Sequence, residues 1–324
     1  MKIEDFNHSH IDMAVAIAME NYEEERKHVP ILPKMDKIPE ISHFADNQLG
    51  VVAEEEGRLI GFLGAFSPRE DAFGTTNVLG TFSPIHGHGV IGTDKDRIYS
   101  RLYQAAADKW VKAGILSHAV AFYTHDKEAL KSFYYNGFGL RCIDAIRIME
   151  ELPAADLKVE GYGDKETLAY LEVEREDWSS LLDFHNQLIY HLGSSPSFMK
   201  FPKINNDQLY HRTSETTRYF AVKDGEQLIA YIKVESEGEN FITLNPGMLN
   251  ICGAYCLPQY RGRGIYQKLL SYMISILKKE GYSLLGVDCE SFNPTARGFW
   301  LKYFTEYTHS VVRRIDDKAI QIFN

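Results

Sequence analysis

Between residues 251 and 266 the chain carries residue types suited to holding an anion. A short apolar stretch runs into Pro258-Gln259-Tyr260-Arg261-Gly262-Arg263-Gly264 and then into a helical pattern. The helix follows from Ile265, Leu269, Leu270, Met273, Ile274, Ile276 and Leu277, which recur at steps of three and four, with Gly281 as its C-terminal cap. Glycines let backbone N–H groups approach a phosphate closely, and the first turn of a helix adds unpaired amides and the positive end of its dipole. Arg261 and Arg263 supply mobile positive charge beside them. The same residues also describe an ordinary strand-to-helix turn with two solvated arginines.

A second glycine run, Ile85-His86-Gly87-His88-Gly89-Val90-Ile91-Gly92, has the formal spacing of a dinucleotide-binding loop. It follows antiparallel-type strands and continues for several residues before any helix, which argues against nicotinamide binding. His86 and His88 could ligate a metal, but no carboxylate or cysteine beside them completes a set, so no metal is expected. Cys142, Cys252, Cys256 and Cys289 lack C-x-x-C spacing and read as free buried thiols.

The elements that must position these residues fall into two halves. A chain of 324 residues suits two domains of roughly 150 residues each. Its hydrophobic fraction of 44% and charged fraction of 25% are those of a globular protein. No apolar run approaches the roughly 18 residues of a membrane span. The start Met1-Lys2-Ile3-Glu4-Asp5 lacks the features of a signal peptide, so a cytoplasmic location is expected. A net charge of -10 argues against a broad nucleic-acid face and is compatible with small cationic substrates.

In the first half, residues 10–26 form an amphipathic helix with Ser9 as its cap, followed by a proline-broken segment. Residues 50–53 and 59–64 form a hairpin around Gly57, and residues 77–82 a third strand. Helix 98–112, strand 117–123, helix 127–136 and strand 141–148 complete the half, before a charge-rich connection through about residue 164. The second half repeats the order: helix 177–192, a looser stretch, strands 219–222 and 228–234, the glycine loop, and the helix that follows it. Residues 98–138 lie on 265–305 without a gap: Ile98-Tyr99 on Ile265-Tyr266, Leu102 on Leu269, Gly114 on Gly281, Val120 on Val287 and Ala129 on Ala296. This pattern predicts two copies of one α/β domain.

These residues resemble the GNAT superfamily of acyl-CoA N-acyltransferases, in its tandem form. The resemblance rests on Cys256 to Tyr266 at the end of a fourth strand, and on Asn293, Ala296, Phe299 and Trp300 after a fifth. It implies an α/β fold (an α+β mixed sheet) of two tandem domains, 1–155 and 165–324, each a mostly antiparallel sheet flanked by helices. It also implies acetyl-CoA as acyl donor and a small-molecule or peptide amine as acceptor, while the net charge and the lack of a long apolar run lead to the expectation of no nucleic-acid or membrane partner. Carried over residue by residue, the cofactor contacts fall on Arg261, Gly262, Arg263, Gly264, Ile265 and Tyr266 for the pyrophosphate. Asn293 would hold the pantetheine arm, or cap the helix before Pro294, or both.

Three departures stand out. Tyr266 replaces a small residue, and Trp300 replaces the tyrosine proposed to protonate the departing thiolate, a role indole cannot fill. The N-terminal copy has thirteen residues, 85–97, where 259–264 supply six, and Asp126 and Phe133 stand at the asparagine and tyrosine positions. It is expected to be degenerate.

Such an enzyme joins amine and thioester in a ternary complex, without a covalent intermediate. Backbone N–H groups around Tyr255, Cys256 and Leu257 would polarise the thioester carbonyl. Glu290 is the candidate base and Tyr303 the candidate acid; each also reads as a strand-end carboxylate or a packing aromatic, respectively. A catalytically silent acyl-CoA-binding sensor or scaffold is the alternative.

Overall fold

Val51-Val52-Ala53 and the stretch from Leu59 to Leu63 fold back on each other across Glu56 and Gly57, which both take positive φ, 53° and 77°. This is the backbone of a primed two-residue turn, whose twist suits a hairpin. Around this hairpin the computed structural model, which describes residues 1–72, 77–161, 168–211 and 213–322, builds a mixed α/β fold. The chain divides into two compact units, Met1–Asp144 with Glu306–Asn324, and Ala145–Thr305. Residue 165, the expected start of the second domain, lies outside the described residues.

In chain order the first part runs β1 (Lys2–Asp5), α1 (Ile11–His28), α2 (His43–Asp46), β2 (Val51–Glu55), β3 (Arg58–Leu63), β4 (Gly80–Ser83), β5 (His88–Val90), α3 (Lys95–Lys112), β6 (Ser117–Tyr123), α4 (Lys127–Tyr135) and β7 (Gly139–Ile148). There follow β8 (Leu168–Val173), α5 (Leu182–Gly193), α6 (Asn206–His211), β9 (Arg218–Asp224), β10 (Gln227–Glu235), β11 (Met248–Cys256), α7 (Ile265–Lys279), β12 (Leu284–Glu290), α8 (Pro294–Tyr303) and β13 (Thr305–Arg314).

In the first unit, β1, β2, β3 and β5 pair antiparallel in that order. β6 lies between β4, parallel to it, and β13, antiparallel to it. Val311 of β13 is therefore part of the same core as Leu102, Trp110, Phe122 and Phe133. The Trp110 indole donates to the Leu49 carbonyl at 3.0 Å, so burying this ring leaves no polar group unpaired.

In the second unit the strands neighbour one another in the order β12-β11-β10-β9-β8. α7 buries Ile265, Leu269, Leu270, Met273, Ile274 and Leu277, the apolar stripe predicted for it, and Gly281 follows at φ 98°.

Several elements differ from the sequence reading. Ser9 does not cap α1: it lies in a 3-10 turn, His8–His10, that leads into the helix and is capped by Asn7, whose side chain accepts from the Ser9 amide at 2.9 Å while the Asn7 amide donates to His10 Nδ1. The glycine run 85–92 contains strand β5 rather than a phosphate loop. Gly89 is small because a Cβ there would stand against Ile17 and Asn21 of α1. Residues 175–181 form a 3-10 stretch ahead of α5. Strands β1 and β8 go beyond the predicted elements; their half-buried residues lack the alternation that marks a strand. Cys256 and Cys289 are buried free thiols, but Cys252 is exposed and Cys142 half-buried, so the expectation of burial holds for two of the four.

Candidate functional site

Strands β11 and β12 run parallel and paired only from Met248↔Leu284 to Ile251↔Val287. β11 continues instead along β10, through Tyr231↔Tyr255 and Ala230↔Cys256. The two strands thus diverge toward their C-terminal ends, and a gap between parallel strands leaves backbone groups without ladder partners. The Leu257 amide donates to the Ile229 carbonyl at 3.0 Å. Since amides alternate along an antiparallel strand, Tyr255 also faces β10, and Cys256 turns its N–H to the side of the gap. Of the three amides proposed from sequence, those of Tyr255 and Leu257 are thereby directed into the ladder, and that of Cys256 alone faces the gap.

A cavity of about 290 Å³ opens at this gap. Its walls are Leu188 and His191 of α5, Ala254, Tyr255 and Cys256 of β11, the loop from Tyr260 to Gly264, Tyr266 and Gln267 of α7, and Asn293, Thr295, Ala296, Phe299 and Trp300 of α8 and its cap. The elements meet here for local reasons. Pro258 begins a 3-10 turn that ends β11, and Gly262 and Gly264 then take left-handed φ values of 73° and 80° that turn the chain into α7. Gly264 is further constrained, because the Lys158 carbonyl occupies the space a Cβ would need, and the Glu160 amide donates to the Arg263 carbonyl at 2.9 Å.

The loop suits a phosphate. The first-turn amides of α7 have no intrahelical acceptor, and two left-handed glycines precede them, a concave arrangement of N–H groups that favours anions. Arg261 is not the mobile charge read from sequence. Its Nε donates to the Cys256 carbonyl at 2.9 Å and its guanidinium lies 5.2 Å from the Tyr255 ring centre, which pins it as a brace. Arg263 lies at 6.0 Å over Tyr260.

Tyr266 turns inward. Its ring meets Phe299 at 5.1 Å and Trp300 at 6.1 Å, and its hydroxyl donates to the Tyr231 carbonyl at 3.1 Å. Burial holds that phenol well above its ordinary value. Burial also pushes the Cys256 thiol up to about 11, so it stays protonated at neutral pH.

Asn293 takes the capping role and also lines the cavity. Its Oδ1 accepts from the Ala296 amide at 3.4 Å and the Thr295 hydroxyl at 2.8 Å, capping α8 with Pro294 at its first position. Leu257 and Ile265 lie just behind the wall, buried, while the other eight residues proposed to bind the cofactor line it. Glu290 and Tyr303 are not among the lining residues. Glu290 ends β12, with its carbonyl accepting from the Asn293 amide, and the Tyr303 ring packs on Phe299 at 5.2 Å.

His191 went unnoticed in the sequence. Its spacing of three residues from Leu188 on an amphipathic helix was the available signal. It stands in the cavity wall, with Nε2 3.4 Å from Asn293 Oδ1 and its ring 6.4 Å from that of Tyr255.

Residues 186–304 match the family model described as Acetyltransferase (GNAT) family. The fold is shared with solved structures of that kind. A GCN5-related N-acetyltransferase from Sphaerobacter thermophilus aligns with a TM-score of 0.58 and 11% identity, over 97% of this chain and 95% of that one. A fungal multi-domain GH3 β-N-acetylglucosaminidase, described as containing a GCN5-related glucosamine N-acetyltransferase region, aligns with a TM-score of 0.54 and 12% identity. That alignment covers 96% of this chain and 38% of the fungal protein. No curated protein matches the chain. Among the described residues no helix is long and apolar enough to cross a membrane.

Proposed function

We propose that the second unit binds an acyl-CoA, with acetyl-CoA as the donor, and transfers its acyl group to an amine acceptor by direct attack in a ternary complex. One observation carries this reading: a single cavity joins the left-handed glycine loop at the start of α7 to the gap where β12 leaves β11. The loop amides and helix dipole would take the pyrophosphate. The free Asn293 amide would meet the pantetheine arm, and the Cys256 N–H would face the carbonyl oxygen on which charge develops. The match of residues 186–304 to the acetyltransferase model supports the same reading.

The first unit is read as a degenerate copy that holds no CoA. Where Asn293 stands in the second unit, Asp126 caps α4 and forms an ion pair with Lys95 at 3.1 Å. A carboxylate at that position only accepts hydrogen bonds, so it lacks the amide N–H that Asn293 would offer a pantetheine carbonyl.

The test is calorimetric titration with acetyl-CoA of the wild type and of Gly262→Asp. Aspartate tolerates the left-handed backbone, and no neighbour within 4 Å obstructs a side chain at position 262. The reading requires binding by the wild type and its loss in the variant; a wild type that does not bind overturns it. Binding with no thiol release on adding amines would favour a silent acyl-CoA sensor, for which Trp300 at the tyrosine position is the motivating feature.

A further inference from the structure

The cavity holds several groups that could be asked to move a proton, and its chemistry removes most of them. Arg261 and Arg263 are permanent cations. Burial raises the Tyr255, Tyr260 and Tyr266 phenols and the Cys256 thiol, so each is protonated near neutral pH and is a poor base. Trp300 offers only an indole N–H, a donor that does not ionise in water, and Glu290 and Tyr303 do not line the space. What remains is the imidazole of His191, the side-chain type whose ordinary titration spans neutral pH.

The geometry around His191 suits such a role. It occupies the last turn of α5 and stands in the cavity wall. Opposite it lies Tyr255, which also carries the Arg261 guanidinium on its ring, and beside it the neutral Asn293. An Asn293 oxygen as neighbour selects the tautomer with the proton on Nε2 and leaves the Nδ1 lone pair as acceptor.

Resting on the acyl-transfer reading above, we infer that His191 is the proton carrier of the site: its imidazole accepts the proton of the attacking amine and returns it to the departing thiolate. In that sequence a neutral primary amine forms the new C–N bond, and the C–S bond breaks. The proton lost by nitrogen passes to the imidazole, then to sulfur, directly or through one water, so that amide and thiol leave with His191 neutral again. An amine that enters as ammonium first yields its extra proton to solvent. One group thus serves as both base and acid, which explains how the site functions with Trp300 where a tyrosine acid would stand.

The experiment compares wild type, His191→Gln and His191→Gly. Acetyl-CoA binding is followed by calorimetry, and thiol release by a disulfide dye with spermidine, glucosamine, an alanyl peptide or water as acceptor. The expected result is intact acetyl-CoA binding in both variants and a fall in kcat of about 10²-fold or more. The acidic limb of the pH profile should disappear, and added imidazole should restore turnover to His191→Gly, which a merely structural histidine would not allow. Unchanged kcat and pH profile in His191→Gln would overturn the inference while leaving acyl transfer in place. A wild type that binds no acetyl-CoA, or binds it and releases no thiol with any acceptor, would overturn the acyl-transfer reading and this inference with it.

Discussion

The backbone carbonyl of Lys158 lies over Gly264, in the space that a side chain on Gly264 would require. The glycine most central to the anion loop is therefore constrained twice, by its left-handed φ and by the segment crossing it. Gly262 carries only the first constraint. Gly262→Ala should cost about 1 kcal/mol from backbone strain, and Gly264→Ala at least about 1 kcal/mol more from the forced backbone shift. Urea denaturation of the two variants measures the difference; equal losses would show that the crossing segment yields freely.

Asn293 offers a separation of stability from binding. Asn293→Ala removes the cap of α8 and should cost about 1 kcal/mol. Asn293→Asp keeps a capping oxygen but brings a carboxylate into the cavity wall, so its melting temperature should stay near wild type while acetyl-CoA affinity falls. A variant that loses both equally would mean that the amide serves only the fold.

In the first unit Glu25 is fully buried and accepts from the Thr124 hydroxyl at 2.8 Å, the His125 amide at 3.1 Å and His125 Nδ1 at 2.5 Å. This carboxylate ties α1 to the end of β6. Glu25→Ala leaves three groups without their acceptor and should destabilise by about 3 kcal/mol. Thr124→Val, which removes one bond, should cost about 1 kcal/mol. Chemical denaturation of both reports the ratio.

Stability should fall in acid for a specific reason. His88 Nε2 donates to the Ala121 carbonyl at 2.6 Å and Nδ1 accepts from the Tyr99 hydroxyl; His118 does the same with Ile115 and Tyr103. Both imidazoles are satisfied only when neutral, and burial lowers each to about 4. The unfolded chain then binds the extra protons between about pH 6.5 and pH 4. Their contribution is complete above pH 6.5 and is lost as pH falls toward 4, at up to about 1.4 kcal/mol per pH unit for each histidine. Denaturation midpoints across that range should drop, and His118→Gln should flatten the slope.

The same arrangement gives both nitrogens of His88 a hydrogen-bond partner within the fold. The sequence could report the spacing of these residues but not that Tyr99, eleven positions on, would meet the ring.

Local physics made much of the second unit legible without a structure. The stripe from Ile265 to Leu277, the glycines at 262, 264 and 281, and Asn293 before Pro294 each act over a few residues, so their order alone determines a helix, a turn and a cap. Tertiary structure decided everything that depends on distant segments meeting. The divergence of β12 from β11 opens the cavity and turns the Cys256 amide toward it. The packing of α5 against β11 brings His191 to the wall in place of Glu290 and Tyr303. The pinning of Arg261 and the segment over Gly264 arise from contacts that a linear pattern does not encode, because each depends on the direction of a side chain or carbonyl rather than on its position in the chain.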